Sequence, residues 1–418
     1  WRNYDSGVMD QHPNRQCYLA VMNAWTGQRS KISGIHAEEV LKQMWEKSKT
    51  YPELEPDLYI YTSVANAWSY TKLPNAAEET QRIVEEMHER SKTSKILPPP
   101  NANLYHIVIR AWTTFSRDPY AAEKAEAVLQ TMQKNHCQAD KIAYTQIMNS
   151  YVEKNNSPHH DNADSTMLSA TVSGHCQRLL GDMWKRYKQH NQDQLKPDRK
   201  TYNTLIDAYA KSGQPRQAEM TLEAMWKLQE HNIRPDTVSY CSVMHAWAHL
   251  GELRQVEKWF RELQEKSKEF EGRNEDDRLK TDVCSYNILI NAWGKSKRPD
   301  AGIAAESLLQ EMWRQYNQDE DNNKRSRPDH VSYSSVIRAW LQSKDANAMR
   351  RMKSLYQEYR QKVSHGIIPR KSAHMRKMHL VYTTATRQLR QQQIASEHQD
   401  DEADYEEDDE EYYPYFQA

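Results

Sequence analysis

The chain has 418 residues, of which 38% are hydrophobic, and its formal net charge is −1. This length is too great for one ordinary compact core, and without a run of about 18 apolar residues no helix is predicted to span a membrane. The five cysteines are odd in number and widely spaced, which argues against a disulfide framework and against a cysteine zinc site.

The charged residues are unevenly distributed along the chain. Eleven of the 58 acidic residues lie from Glu397 onward and no lysine or arginine follows Arg390, so residues 1–396 carry 57 basic and 47 acidic side chains. A basic body with an acidic tail suggests nucleic-acid contact. Because the chain begins at Trp1 rather than methionine, we expect a fragment or processed form whose N-terminal targeting peptide is not visible.

A tyrosine with similar surroundings recurs eight times along the chain. In the clearest copy, which begins at Tyr202, large apolar residues follow at positions i+3, i+4 and i+7. This spacing predicts one apolar face of an α-helix, which we call helix A. The anchor tyrosines are Tyr18, Tyr61, Tyr105, Tyr144, Tyr202, Tyr240, Tyr286 and Tyr333.

A second helical pattern, helix B, follows each helix A. It is rich in strong helix formers and keeps an apolar stripe, as in AEMTLEAMWKLQEH at 218–231. Pro-Asp turns close several units, at 197–198, 235–236 and 328–329, because proline ends helix B and aspartate can cap the next helix A. Neither helix can bury its apolar face alone, so stacked pairs would share one continuous core.

These patterns predict an all-α solenoid of about eight helix–turn–helix repeats. The repeats cover residues 12–370, with an insertion at about 155–173. We expect a C-terminal capping helix at 371–396 and a disordered acidic tail at 397–418.

Six tryptophans lie seven residues after an anchor tyrosine, and four more follow a methionine on helix B. Base stacking and core packing are the two alternatives for them. We favour core packing for the helix A set, because these tryptophans share a helical face with leucine and isoleucine. They are Trp25, Trp68, Trp112, Trp247, Trp293 and Trp340.

Two further positions of helix A are mostly polar, and we call them the stripe. They lie one and five residues after each anchor tyrosine, hence on one face of the helix. The first position holds Leu19, Thr62, His106, Thr145, Asn203, Cys241, Asn287 and Ser334. The second holds Asn23, Asn66, Arg110, Asn149, Asp207, His245, Asn291 and Arg338. Stacking would align both into a polar groove, although an ordinary solvated face is the alternative.

The segment TYNTLIDAYAKSG at 201–213, followed by IRPD at 233–236, resembles the motif of the pentatricopeptide-repeat family, and VCSYNILINAWGKS and HVSYSSVIRAW are similar. The resemblance covers about residues 12–370 and is strongest from 196 to 340. It implies a right-handed superhelical α-solenoid that binds single-stranded RNA in a mitochondrion or plastid. Its expected role is RNA processing, stability or translation, together with other RNA-processing proteins.

In that family, the residue after the tyrosine and the last residue of the repeat choose one base. Carried onto this chain, the pairs are Leu19 with Asp57, Thr62 with Asn101, His106 with Asp140, Thr145 with Asp198, Asn203 with Asp236, Cys241 with Asp282, Asn287 with Asp329, and Ser334 with Arg370. The family's code then predicts the target N-A-N-G-U-N-U-N. The chain departs from the family in its longer units and in the atypical Leu19, His106, Cys241 and Arg370.

No catalytic constellation is found in the sequence. The group His159, His160, Asp161 and Asp164 lies in the polar insertion without metal-ligand spacing, so we interpret it as a loop. We therefore predict no enzyme activity, no metal, no cofactor, no small-molecule substrate and no membrane partner. The alternative function is a protein–protein interaction scaffold of the tetratricopeptide type.

Overall fold

A computed structural model describes residues 12–94, 96–154, 165–190, 193–228, 230, 232–270, 279–318, 324–343 and 345–407. Within these residues, helices alternate with short turns and no β-strand occurs, which confirms the predicted all-α solenoid of helix pairs. No helix in these ranges is both long and apolar enough to traverse a bilayer.

The helices alternate between the two predicted types. The A helices are α1 (Arg15–Gln28), α3 (Leu58–Ser69), α5 (Ala102–Arg110), α7 (Lys141–Lys154), α9 (Arg199–Lys211), α11 (Thr237–His249), α13 (Val283–Lys295) and α15 (His330–Gln342). The B helices are α2 (Ser33–Ser48), α4 (Ala76–Ser91), α6 (Ala121–Lys134), α8 (Ser165–His190), α10 (Pro215–Lys227), α12 (Leu253–Phe270), α14 (Ala301–Gln318) and α16 (Ala348–Ser364). A last helix, α17, spans Ser372–Glu407.

The chain divides into two compact units. Unit 1 comprises residues 1–212 with 230–233, and unit 2 comprises residues 213–229 with 234–418. Within each unit, every helix packs against the next helix along the chain, and successive A helices also pack side by side. This is the arrangement expected when amphipathic helix pairs cover one another's apolar faces.

The anchor tyrosines lie in the core between helices. All eight are buried, and Tyr61, Tyr144, Tyr240, Tyr286 and Tyr333 have no exposed surface. Two glycines at the start of B helices allow a tryptophan of the next A helix to come close. A Cβ atom placed on Gly34 would lie 2.5 Å from Trp68 Cδ2, and one on Gly302 would lie 2.5 Å from Trp340 Cδ2. Glycine is therefore required at both positions for this packing.

Four tryptophans of B helices hold the tyrosine of the following repeat. In each case the indole Nε1 donates a hydrogen bond to the phenol oxygen. The pairs are Trp45 with Tyr61 at 3.1 Å, Trp184 with Tyr202 at 2.9 Å, Trp226 with Tyr240 at 3.1 Å and Trp313 with Tyr333 at 3.0 Å. Because the bond joins one repeat to the next, it fixes the spacing of the two repeats. Burial of the ring raises the pKa of Tyr61 to about 12.

A glutamate that is buried (Glu38, Glu126) or half-buried (Glu306) joins three helices at three places. In the eighth repeat, Trp340 Nε1 donates to Glu306 Oε2 at 2.9 Å, and Arg351 pairs with Glu306 Oε1 at 2.8 Å. The same arrangement joins Trp68, Glu38 and Arg82, and Tyr151, Glu126 and Arg178. We call these three clusters and the four indole–phenol bonds the seam.

The core placement predicted for the helix A tryptophans is confirmed at four of six positions. Trp68, Trp112, Trp247 and Trp340 are buried. Trp25 and Trp293 are half-buried. The seam tryptophans of the B helices are also half-buried.

Two predicted boundaries differ from the structure. The insertion was expected to extend to residue 173, but residues 165–173 already belong to α8. Residues 155–164, with His159, His160, Asp161 and Asp164, lie outside the described residues. The capping helix was expected to end at 396, but α17 continues to Glu407, and 408–418 are outside the described residues. Both segments lack proline and contain good helix formers, which accounts for the longer helices.

Candidate nucleic-acid interface

The predicted last residue of each repeat caps the helix A that follows. A side-chain oxygen accepts a hydrogen bond from a main-chain N–H two or three residues further on, at 2.8–3.1 Å. The capping residues are Asp57, Asn101, Asp140, Asp198, Asp236, Asp282 and Asp329. Such a cap stabilises a helix by about 1 kcal/mol. The closing Pro-Asp therefore has a structural role in addition to any role in binding.

The residues that follow the anchor tyrosine face the neighbouring A helices. Thr145, Ser334 and Cys241 are buried. Leu19, Thr62, His106, Asn203 and Asn287 are half-buried. The hydroxyls of Thr62, Thr145 and Ser334 donate to main-chain carbonyls of their own helices at 2.7–3.0 Å, and each keeps acceptor capacity.

Two predicted base-choosing pairs are in direct contact. Asn287 Nδ2 donates to Asp329 Oδ1 at 3.4 Å, and His106 Nε2 lies 3.5 Å from Asp140 Oδ1. In both pairs, the first residue belongs to one A helix and the second caps the next A helix. The structure therefore places side by side two residues that are 42 positions apart in the seventh repeat.

A third pair is joined through one intermediate residue. The hydroxyl oxygens of Thr145 and Thr201 are 3.3 Å apart, and Thr201 Oγ1 donates to Asp198 Oδ1 at 3.2 Å. Lys141 Nζ lies 3.1 Å from Asp198 Oδ2. Burial opposes ionisation of Asp198, but the Thr201 N–H and Lys141 outweigh it and hold the pKa of this carboxyl below its ordinary value. Asp198 is therefore a carboxylate at neutral pH.

Members of the other predicted pairs take the following positions. Asn203 lies on α9, and Asp236 caps α11. Thr62 bonds to Leu58 of its own helix, and Asn101 caps α5. Arg370 is exposed in the turn before α17. It is the one predicted last residue that cannot cap through a side-chain acceptor, because a guanidinium only donates.

Cys241 lies beside Cys284, which is two residues after Asp282. The contact with the Cys284 thiol, together with burial, raises the pKa of Cys241, so Cys241 remains a neutral thiol at physiological pH. Both cysteines are free. Sequence analysis did not predict this pair. The signal that could have indicated it is the position of each cysteine in its repeat, since Cys241 follows one anchor tyrosine by one residue and Cys284 precedes the next by two.

Three buried polar atoms of the stripe have no hydrogen-bond partner among the described residues. They are Asn287 Oδ1, His106 Nε2 and Arg110 Nε. Leaving a buried polar atom unpaired costs about 1–3 kcal/mol. Such atoms are rare in folded proteins and call for an explanation. Asn287 Oδ1 and His106 Nε2 belong to the two pairs in direct contact.

The second stripe position links neighbouring A helices. Asn23 Oδ1 accepts from Ser63 Oγ at 3.3 Å. Asn66 Oδ1 accepts from Arg110 Nη2 at 3.0 Å, and Asn149 Oδ1 accepts from Thr204 Oγ1 at 3.0 Å. In these repeats, the second position therefore also holds the A helices in register. Sequence reasoning assigned it only to a polar groove.

The described residues contain no group of three or more histidine, cysteine, aspartate or glutamate side chains placed to hold a metal ion. The capping acids are spread one per repeat along successive helices. A stripe residue and a capping residue in contact therefore form a separate hydrogen-bonding site within their repeat.

Three sequence profiles match the chain in succession. They are described as "PPR repeat family" over residues 197–249, "Pentatricopeptide repeat domain" over 226–296 and "PPR repeat" over 284–315. Residues 197–315 therefore consist of pentatricopeptide repeats. The matched stretch lies within residues 196–340, where the motif is clearest, and it contains Asn203, Asp236, Asp282 and Asn287.

Solved pentatricopeptide-repeat structures are also similar to this chain. The crystal structure of the pentatricopeptide repeat protein PPR10 from maize is 16% identical, with a TM-score of 0.39, and the match covers 97% of this chain and 61% of that one. PPR10 in complex with an 18-nt psaJ RNA element is 14% identical, with a TM-score of 0.29, over 87% and 60%. This chain thus spans about three fifths of those structures. No curated protein sequence matches it significantly.

Proposed function

We propose that this pentatricopeptide-repeat protein binds single-stranded RNA with sequence selectivity, and that pairs of stripe and cap residues choose the bases. The contact between Asn287 and Asp329 carries this proposal. It juxtaposes an amide, which can donate and accept, with a carboxylate, which only accepts. That combination can address the Watson–Crick edge of an unstacked base.

Asn287 and Asp329 can each form further hydrogen bonds with a ligand. Asp329 Oδ1 is occupied by two main-chain N–H groups of α15 and by Asn287, but a carboxylate has a second oxygen. Asn287 Oδ1 is an acceptor without a donor. A base that donates to Asn287 Oδ1 would satisfy the unpaired acceptor, and the second N–H of the Asn287 amide could donate to the same base. This would explain why the unpaired atom is retained.

The charge distribution supports contact with a polyanion. Residues 1–396 carry 57 basic against 47 acidic side chains. Sequence-independent affinity for nucleic acid comes mainly from phosphate contacts. The basic body would supply those contacts, and the stripe would supply selectivity.

The biological setting is part of the proposal. By family resemblance, we place the protein in a mitochondrion or plastid, where occupancy of a transcript would protect it, unfold it or recruit other RNA-processing proteins. Binding without chemistry suffices for each of these effects. Expression of the full-length protein with a C-terminal fluorescent tag would test the location, and a purely cytosolic signal would contradict it.

The function can be tested by selection from a random single-stranded RNA pool, with sequencing, at two salt concentrations. We expect enrichment of a short motif that contains G-U-N-U, and affinity that falls steeply with salt. A folded sample that binds no RNA at low salt would refute the proposal and favour a protein-binding scaffold. Co-purification from organelle extracts would then be the next experiment.

A further inference from the structure

A groove of about 620 Å³ lies in unit 2, next to the last stripe residues. Helices α13 and α17 form its walls, and α15 forms its floor. Its volume falls within the range of roughly 300–1,000 Å³ that is usual for small-ligand pockets. Two stripe residues, Asn291 and Arg338, line it, so it continues the surface proposed to face RNA.

The groove is basic. Lys295, Lys297, Arg338 and Lys377 line it, and no aspartate or glutamate does. All four cations are exposed. Across the described ranges, none of them forms an ion pair. By contrast, Arg351 of the neighbouring helix α16 is paired with Glu306. Four unneutralised cations around one depression favour an anionic ligand.

Positive charge also surrounds the contact between α15 and α17. His330 begins α15 and stacks on His374 of α17, with ring centroids 3.7 Å apart. Burial lowers the pKa of His330, and His374, Lys377 and Lys371 lower it further, against the opposing effect of Asp329. Since nearby positive charge disfavours a protonated histidine, this shift agrees with the basic lining.

Part of the lining is apolar. Leu341 of α15 and Leu380, Val381 and Ala385 of α17 contribute to it. Leu380 is 65% exposed, so its side chain is accessible to a ligand. A ligand that combines charged groups with flat apolar groups would fit this lining. Every nucleotide has both features, whereas a polyglutamate peptide has only the charge.

We propose that this groove binds a short segment of single-stranded RNA through its phosphates, independently of base identity. The inference rests on the proposed RNA-binding function and adds to it a sequence-blind anchor that includes the terminal helix. Asn287 lies one helical turn before Asn291 on α13, so RNA read by the seventh repeat would pass the cations next. The lysines and arginine would contact phosphates, and Leu380 would lie against a ribose or base.

The test compares two double variants of the full chain. Lys297→Gln with Lys377→Gln removes two charges from the groove. Lys353→Gln with Arg376→Gln removes two charges from exposed residues of the same unit that do not line it. Exposed substitutions of this kind change stability by less than about 0.5 kcal/mol, and thermal melts would verify it. The probes are an RNA containing G-U-N-U, an oligo(C) of equal length and an oligoglutamate peptide.

For the groove variant, we expect affinity for both RNAs to fall by the same factor, about 3- to 10-fold. The slope of log affinity against log salt should decrease by about 1.4, because each single-strand phosphate contact contributes roughly 0.7. The control variant should lose less than about 2-fold.

Four results would overturn the proposal. If the parent chain binds RNA and the groove variant binds it equally well, the groove is rejected and the proposed function stands. If the groove variant loses affinity for the G-U-N-U RNA alone, the groove reads bases. If oligoglutamate binding depends on the groove while RNA affinity is unchanged, the groove is a peptide site. A parent chain that binds neither RNA would refute both proposals together.

Discussion

The seam and the stripe are both rows of polar groups that repeat along the A helices, but their hydrogen bonding differs. In the seam, the Glu306 carboxylate accepts a hydrogen bond from Trp340 and pairs with Arg351, and both contacts are shorter than 3.0 Å. In the stripe, Asn287 Oδ1 and His106 Nε2 are buried without a hydrogen-bond partner among the described residues. Satisfied polar groups stabilise the stack, and unsatisfied ones keep binding capacity for a ligand.

The comparison teaches that position within the repeat separates stability from binding. In three repeats, the tryptophan or tyrosine seven residues after the anchor tyrosine donates a hydrogen bond to a glutamate of the preceding B helix. One residue after the anchor, a short polar side chain faces the neighbouring A helix and the cap of the next repeat. Changes in the seam should therefore alter folding, and changes in the stripe should alter RNA selectivity.

The largest effect is expected from Trp340→Ala in the seam. Removal of a buried indole leaves a cavity and takes away one of the two partners of Glu306, so the free energy of unfolding should fall by about 3–5 kcal/mol. Urea denaturation followed by circular dichroism would measure it. Trp340→Phe keeps most of the ring and should lose clearly less. A loss under about 1 kcal/mol for the alanine variant would contradict the role of the seam.

The next effect is on selectivity. Asn203→Ala combined with Asn287→Ala should weaken binding to the selected RNA by about 10- to 100-fold, since a good base contact discriminates by roughly 1–3 kcal/mol. Binding to random RNA should change little, because phosphate contacts are blind to sequence. Fluorescence anisotropy with both RNAs would measure this. An equal loss on both RNAs would eliminate base readout by these residues.

A smaller effect separates capping from base choice at one residue. Asp329→Ala removes the acceptor for two main-chain N–H groups of α15 and should lower stability by about 1 kcal/mol. Asp329→Asn keeps an acceptor oxygen and should retain most of that stability. Thermal unfolding of the two variants would show the difference. If both lost the same amount, capping would not be the structural role of this position.

The smallest effect concerns acid stability. Burial opposes ionisation of Glu126, but hydrogen bonds from Arg178 and Tyr151 outweigh it and hold its pKa below the ordinary value of 4.5. The stability that its charge contributes is thus complete above about pH 4.5 and is lost as the pH falls through the lower, folded-state pKa. It should be modest, because Arg178 is 54% exposed.

A comparison of the parent chain with Glu126→Gln would measure that contribution. Their difference in unfolding free energy should be largest near neutral pH and should shrink in acid. A difference that stayed constant from pH 7 to pH 3 would show that the charge of Glu126 does not stabilise the seam.

Much of this fold could be predicted from the sequence, because the anchor tyrosine and its apolar partners repeat at helical spacing. The capping aspartates were also partly predictable, since Pro-Asp precedes four of the eight A helices. The indole–phenol bonds were not, because the distance along the chain from Trp to Tyr varies from 14 to 20 residues with the length of helix B and its turn.

The candidate site was predicted by resemblance rather than by physical reasoning. Periodicity indicated a polar face, but only the family's pattern paired Asn287 with Asp329. The groove beside α17 could not be predicted, because Lys297 and Lys377 meet only through the packing of the terminal helix on α15. Local patterns determine each helix, whereas contacts between repeats depend on turn geometry.

The most direct test of base choice by stripe and cap pairs is the base preference of Asp329→Asn. RNA selection should be run with the parent chain and with this variant, which keeps its helix cap. We expect the preference to change at the single position read by the seventh repeat, which is U in the predicted target, and to stay the same elsewhere. An unchanged motif, or a loss of preference at every position, would contradict the account.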